Sequence, residues 1–208
     1  MKFNKDILKL YMITDINYMD ERESVLKAVK SGATCVQYRA KNTDTKQMIE
    51  VAKDLKKICN HHNVPLIIND RLDIALAIQA DGIHIGQDDM PIEIVKKYAS
   101  NMIIGVSASN IEQALIAEKK GADYIGAGAV FSTQTKKDAN YMGIESLKEL
   151  MKKIKIPVAA IGGINLKNIK EVLKTNIDGV CIISALLCSK DIEKTTKEFL
   201  KIIEEEHI

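Results

Sequence analysis

The sequence lacks the features that assign a chain quickly to several large classes. Its four cysteines, Cys35, Cys59, Cys181 and Cys188, show no C-x-x-C spacing. Cys35 and Cys181 fall inside apolar strand-like runs, where a thiol behaves as a small hydrophobe, so neither disulfides nor zinc are expected. No apolar run approaches membrane-spanning length, and the lysine-interrupted start MKFNKDILKLYMIT has no small-residue cleavage site, so a cytoplasmic protein without membrane association is expected. A net charge of +2 is too small to argue for nucleic acid or an anionic membrane as partner. No linker divides the 208 residues, so 1–208 reads as one domain, and 46% apolar against 28% charged residues excludes disorder. No serine, cysteine or carboxylate has an evident histidine partner, which leaves a covalent hydrolase triad without support. Arginine is scarce: Arg22, Arg39 and Arg71 are the only three among 30 basic residues, so each asks for a reason.

What is present is alternation. Apolar strand-like runs at 10–14, 34–38, 66–68, 83–85, 102–106, 124–128, 157–161 and 179–183 alternate with helical patterns at 20–30, 44–62, 72–79, 91–98, 111–119, 144–154, 166–174 and 192–203. The second helix is clearly amphipathic, with Met48, Val51, Ala52, Leu55 and Ile58 at helical spacing. Eight strand-helix units with buried, parallel-type strands predict an α/β protein of the (β/α)8 TIM-barrel type. A doubly wound open sheet is the alternative, and the strand count favours closure. A weak internal echo, SGATCVQ, QADGIHI, KGADYIG and NIDGVCI, sets Gly32, Gly82, Gly121 and Gly179 between a helix end and a strand, as helix C-cap or loop residues.

In a barrel the active site lies at the C-terminal ends of the strands. Asp70 and Asp89 each follow a strand there, and two carboxylates at one edge would hold a magnesium ion whose remaining ligands come from substrate phosphates. The plain alternative makes Asp70 a helix N-cap and Asp89 a turn residue before Pro91. Gln37, Arg39 and Lys41 follow one another at period two, which places an amide, a guanidinium and an ammonium on one face of an extended segment, well suited to a diphosphate. The polar stretch 129–138 is longer than a βα connection needs, and its Thr133, Thr135 and Lys136 are suited to phosphate. After strands seven and eight, Gly162-Gly163 and Ile183-Ser184 offer backbone amides of the kind that form the common barrel phosphate site. His84 is opposite in phase to Ile83 and Ile85 and is read first as a hydrogen-bonded structural histidine.

The segments YMITD, QYRAK, IINDR, ADGIHIGQDD, GVSAS, GADYIGAGAVFSTQTKKDA, VAAIGGIN and DGVCIISAL, in that order, closely resemble the thiamine-phosphate synthase family, also called thiamine-phosphate pyrophosphorylase. The resemblance spans nearly the whole chain. It implies a barrel transferase that joins an aminopyrimidine methyl diphosphate to a thiazole phosphate with release of pyrophosphate, using one Mg2+ per site. Carried over by position, Asp70 and Asp89 match the metal ligands, and Gln37, Arg39, Lys41, Asn69, Ser107 and Lys136 match the pyrimidine-diphosphate contacts. Arg39, Lys41, Ser107 and Lys136 among them are the expected catalytic groups. Thr133, Thr135, Gly163, Ile183 and Ser184 match the thiazole-phosphate contacts. The chain departs from the pattern at Tyr38 and Ala40, where the family commonly has leucine and glutamate. A thiazole tautomerase of the same fold, or a barrel that only binds thiazole or thiamine phosphate, remains the alternative, although neither needs a metal with three cations. The partners implied are small-molecule substrates; a homo-oligomer is compatible with the sequence, which does not define the oligomeric state.

Overall fold

The computed structural model describes residues 3–132 and 141–206. Eight parallel strands close into a barrel in chain order: β1 (Leu10–Ile13), β2 (Cys35–Tyr38), β3 (Leu66–Asn69), β4 (Gly82–Ile85), β5 (Ile103–Ala108), β6 (Tyr124–Ala127), β7 (Val158–Ile161) and β8 (Gly179–Ile182), which pairs back onto β1. Around them lie α1 (Glu21–Lys30), α2 (Thr45–His61), α3 (Leu72–Ala77), α4 (Ile92–Tyr98), α5 (Ile111–Lys120), α6 (Gly143–Met151), α7 (Ile169–Leu173), α8 (Ser184–Leu187) and α9 (Ile192–Glu205). The (β/α)8 barrel expected from the alternation is the observed fold. Four helices begin on a side-chain cap: Asp20, Asp44, Asn110 and Asp191 each accept the backbone amide three residues on.

The strands read as continuous apolar runs because both of their faces are buried. Outward residues such as Leu10, Met12, Val36, Tyr38, Leu66, Ile68, Ile83 and Ile85 join the large core under the helices. Inward residues form a second, smaller core of Leu8, Tyr11, Ile13, Cys35, Ile67, Tyr124, Ala159 and Cys181 inside the barrel. Tyr38 therefore faces α1 rather than the barrel interior. Its hydroxyl finds no hydrogen-bond partner among the described residues, and burial, with the nearby Glu21 charge, pushes the phenol up to about 12.

The internal echo is as expected at two of its four glycines: Gly32, at φ +104°, lies in the loop between α1 and β2. Gly121 is a left-handed helix cap at φ +86°, but Gly82 and Gly179 open strands instead of ending helices. A Cβ on Gly82 would lie 2.6 Å from Ile67 Cδ1, and one on Gly179 would run into the Leu8 carbonyl, so close chain approach excludes a side chain. The repeating element is the polar residue just before each even-numbered strand. Thr34 Oγ1 accepts the Leu10 amide at 2.9 Å, Asp81 the Leu66 amide at 2.8 Å, Asp123 the Ile104 amide at 2.8 Å and Asp178 the Val158 amide at 2.9 Å. Each satisfies a backbone donor at the start of the preceding odd-numbered strand, or one residue into it, at the bottom of the barrel.

The sequence pattern did not register the 3-10 turn Lys5–Leu8, which has Asn4 as its cap, in front of β1. Leu8 enters the inner core, Phe3 stacks on Tyr124 with ring centroids 6.0 Å apart, and Lys5 pairs with Asp178 at 2.9 Å. This segment closes the N-terminal end of the barrel and leaves the C-terminal end as the mouth.

Candidate active site

The C-terminal ends of β1 to β4 bring charges of both signs together. β2 ends at Tyr38, so of the period-two row Gln37, Arg39 and Lys41 only Gln37 belongs to the strand. Gln37 points into the barrel, only 3% exposed, and its Nε2 donates to Tyr11 Oη at 2.9 Å. Arg39 lies just beyond the strand: Thr14 Oγ1 accepts its backbone amide at 3.0 Å, and its Nη1 donates to Asp15 Oδ2 at 3.2 Å. Lys41 reaches across to β3 and donates to Asp70 Oδ2 at 2.8 Å. Both cations thus rest on rim carboxylates. The other two arginines are structural, since Arg22 joins α1 to Asp54 of α2 at 3.0 Å, and Arg71 holds Asp73 and Thr45.

Asp70 is not the cap of α3, whose N-cap Arg71 makes no side-chain cap bond. It sits instead in a left-handed conformation, φ +60°, which Asp tolerates better than most residues, with its amide bonded to the His84 carbonyl at 2.8 Å. Asp89 does stabilise its own turn, Oδ2 accepting the Gly86 amide at 2.7 Å, and it also meets Asp70 within hydrogen-bonding reach. Burial opposes ionisation of Asp70, but hydrogen bonds from Lys41 and Asp89 outweigh it and hold its carboxyl below the ordinary range. Burial and then the Asp70 carboxyl push Asp89 up. Two acids a hydrogen bond apart settle into one charged and one readily protonated partner. Among the described residues no cluster of three or more His, Cys, Asp or Glu surrounds a metal position, and Asp70 and Asp89 are a pair of carboxylates that meet at this edge.

Asn69 and Ser107 stand on β3 and β5 beside His84 of β4, with Asn69 directly paired with His84 in the strand register. His84 is hydrogen-bonded as expected, Nδ1 to Tyr124 Oη and Nε2 to Ser107 Oγ, both at 2.9 Å. On the opposite side of the mouth, Gly162 and Gly163 have φ of +104° and +65°, and the Gly162 carbonyl accepts the Phe131 amide at 3.0 Å. A Cβ on Gly163 would lie 2.6 Å from the Ser132 carbonyl oxygen. Ile183 and Ser184 begin the four-residue α8, the short extra helix after strand eight that barrels often use for phosphate. Thr133, Thr135 and Lys136 lie outside the described residues.

Sequence reasoning missed Asp15, which holds Arg39, and Tyr11 and Tyr124, which underlie Gln37 and His84. The YMITD segment contained two of them. What gave no signal was their pairing, between residues distant along the chain.

These features define a class: a (β/α)8 barrel with charged groups gathered at its open mouth, where enzymes of this fold act on small molecules. Among the described residues, no helix is long and apolar enough to cross a membrane. A family model described as thiamine monophosphate synthase matches residues 10–186. The chain belongs to the thiamine-phosphate synthase family, and is thus a transferase of thiamine biosynthesis acting on small-molecule substrates. It is 50% identical to the thiamine-phosphate synthase of Pyrococcus horikoshii over 201 residues, 97% of each chain. It is 49% identical to that of Clostridium novyi over 199 residues, 93% of this chain and 98% of the relative. The solved structure of thiamine phosphate pyrophosphorylase from Pyrococcus furiosus superimposes with a TM-score of 0.94 at 48% identity, covering 98% of this chain and 99% of that one.

Proposed function

We propose that this chain condenses 4-amino-2-methyl-5-(diphosphooxymethyl)pyrimidine with 4-methyl-5-(2-phosphooxyethyl)thiazole, giving thiamine phosphate and pyrophosphate. The observation that carries the reading is the meeting of Lys41, Asp70 and Asp89 beside Arg39 at one edge of the mouth. Two neighbouring carboxylates, with no third acidic or histidine ligand clustered on them among the described residues, fit a magnesium ion completed by substrate phosphates. Asp70 and Asp89 would hold that ion, which when bound neutralises charge on the diphosphate.

Arg39 and Lys41, now resting on Asp15 and Asp70, would turn to the diphosphate oxygens, with Lys136 beside them. Gln37, Asn69 and Ser107 would line the pyrimidine. Thr133, Thr135, Gly163, Ile183 and Ser184 would hold the thiazole phosphate. The thiazole nitrogen already carries a lone pair, so no general base is required. The costly event is departure of pyrophosphate, and the cations stabilise its growing charge. The aminopyrimidine can carry the matching positive charge on its methylene carbon, so the displacement is dissociative. Four free cysteines support the accompanying proposal of a cytoplasmic location. The test is to mix the pure protein with both substrates and Mg2+ and to measure pyrophosphate and thiamine phosphate; no product would end the reading.

A further inference from the structure

A continuous hydrogen-bonded chain crosses the barrel interior beneath the mouth. Gln37 Nε2 donates to Tyr11 Oη, Tyr11 Oη faces Tyr124 Oη, Tyr124 Oη faces His84 Nδ1, and His84 Nε2 faces Ser107 Oγ, each at 2.9 Å. It runs from β2 through β1, β6 and β4 to β5, and the barrel makes room for it. A Cβ on Gly105 would collide with the Tyr124 ring, and one on Gly126 would lie 2.9 Å from His84 Cε1. Both tyrosines are fully buried, and burial above all pushes their phenols well above the ordinary value, so both keep their protons.

Counting protons along this chain sets its direction. Tyr11 accepts from the Gln37 amide and has one proton to give. Cys35 lies within reach of it, but a thiol is a weak acceptor beside a phenol oxygen, so that proton goes to Tyr124. Tyr124 in turn gives its own to His84 Nδ1. The imidazole then carries its hydrogen on Nε2 and donates to Ser107, whose own hydroxyl proton is left for another acceptor. At the other end, committing Nε2 of Gln37 downward leaves Oε1 as the acceptor of that amide.

We propose that this buried chain fixes the hydrogen-bond polarity of the site floor, an acceptor at Gln37 Oε1 and a donor at the Ser107 hydroxyl, and thereby selects a pyrimidine bearing an amino group beside a ring nitrogen over its oxo counterpart. The amino compound offers a donor next to an acceptor; the oxo tautomer offers the reverse. Tyr11, Tyr124 and His84 are positioning residues that act through Gln37 and Ser107. The inference rests on the pyrimidine-diphosphate reading above.

Two measurements test it. In the full-length protein labelled with 15N-histidine, and with the His84 signal assigned by its loss in His84→Gln, two-bond 1H–15N spectra are expected to show His84 as the Nε2–H tautomer without any substrate. An Nδ1–H tautomer would mean the chain runs the other way and would overturn the proposal whatever the enzyme does. Calorimetric titration with the 4-amino and 4-oxo pyrimidine diphosphates in the presence of Mg2+ is expected to favour the amino compound by at least about 10³-fold, because buried polar groups would otherwise be left unpaired. Tyr124→Phe should reduce that preference by at least about tenfold, and Tyr11→Phe, which cuts the chain from the other side, should do the same if the first variant does not fold. An unchanged preference in a folded variant overturns the proposal. Failure of the functional reading would appear separately, as a wild-type protein that makes no thiamine phosphate yet retains the Nε2–H tautomer.

Discussion

Lys41 Nζ sits 2.8 Å from Asp70 Oδ2, so an ammonium group occupies the carboxylate proposed for the metal. Under the proposed function the lysine and the metal would compete for one acid until the diphosphate took the lysine. Lys41→Ala is therefore expected to leave Mg2+ affinity in the absence of substrate unchanged or tighter, while weakening binding of the pyrimidine diphosphate. Titration calorimetry of the metal alone and of the diphosphate reads both effects; a loss of metal affinity in the variant would contradict the competition.

Removing either acid should abolish most activity and leave the fold intact. Asn is the informative replacement at position 70, because it accepts the left-handed φ of +60° where Ala would add backbone strain. Charge neutralisation by a metal is worth several kcal/mol, so Asp70→Asn and Asp89→Asn should each lower kcat/KM about a hundredfold or more. Full activity of the wild-type enzyme in excess chelator would sink the metal assignment.

Gly163→Ala tests the proposed thiazole side of the mouth. The added Cβ would press on the Ser132 carbonyl at 2.6 Å and would occupy a φ of +65°, costing about 1–2 kcal/mol of backbone strain alone. Thiazole phosphate binding should weaken far more than pyrimidine diphosphate binding, with a modest fall in Tm. Ser184→Ala should act in the same direction by about 1.5–3 kcal/mol, the value of a hydrogen bond to a charged group. Equal losses for the two substrates would contradict the division of the mouth.

If displacement is dissociative, Lys136→Ala should depress the chemical step more than substrate affinity, because the charge it faces grows toward the transition state. Single-turnover kinetics separate the two. An electron-withdrawing substituent on the pyrimidine should slow bond cleavage steeply, and indifference to it would replace the cation with an associative path.

Glu21 gives a pH dependence of stability with a definite sign. It is buried in the first turn of α1, and burial, with Asp20 and Asp15 adding, holds its carboxyl above the ordinary value despite a backbone hydrogen bond and Arg22. Folding therefore disfavours its charged form: the penalty is complete above the folded pKa and disappears below the unfolded one. Glu21→Gln should raise Tm relative to wild type at pH 8, and the gain should shrink as the pH falls through the carboxylate range toward 4. An equal gain at both ends would exclude the carboxylate charge as the cause.

The barrel was legible in the sequence because parallel strands buried on both faces write themselves as unbroken apolar runs, and the Asp70 and Asp89 pair because each comes within four residues of the end of such a run. Contacts between distant positions were not. Asp15 and Arg39 are 24 residues apart, and Tyr11 and Tyr124 are 113 apart, so no spacing rule connects them. Of the row Gln37, Arg39 and Lys41 only Gln37 lies within β2, and the carboxylate partners of the other two, Asp15 and Asp70, come from other strand ends that the spacing did not indicate. α8 is too short, at four residues, to show a helical period. The departure at Tyr38 proved remote from the mouth, since that side chain belongs to the layer under the helices.

Among the described residues, the turn at Lys5–Leu8, with Leu8 and Phe3 driven into the inner core, stoppers one end of the barrel and makes it a cup. Under the proposed function two substrates would enter and two products leave by the open end. A group lying on the floor against Gln37 would then arrive before the one that covers it and depart after it. Under the proposed function the pyrimidine diphosphate is then the first substrate on, and a thiazole phosphate already seated would act as a cork, visible as inhibition by that substrate at high concentration.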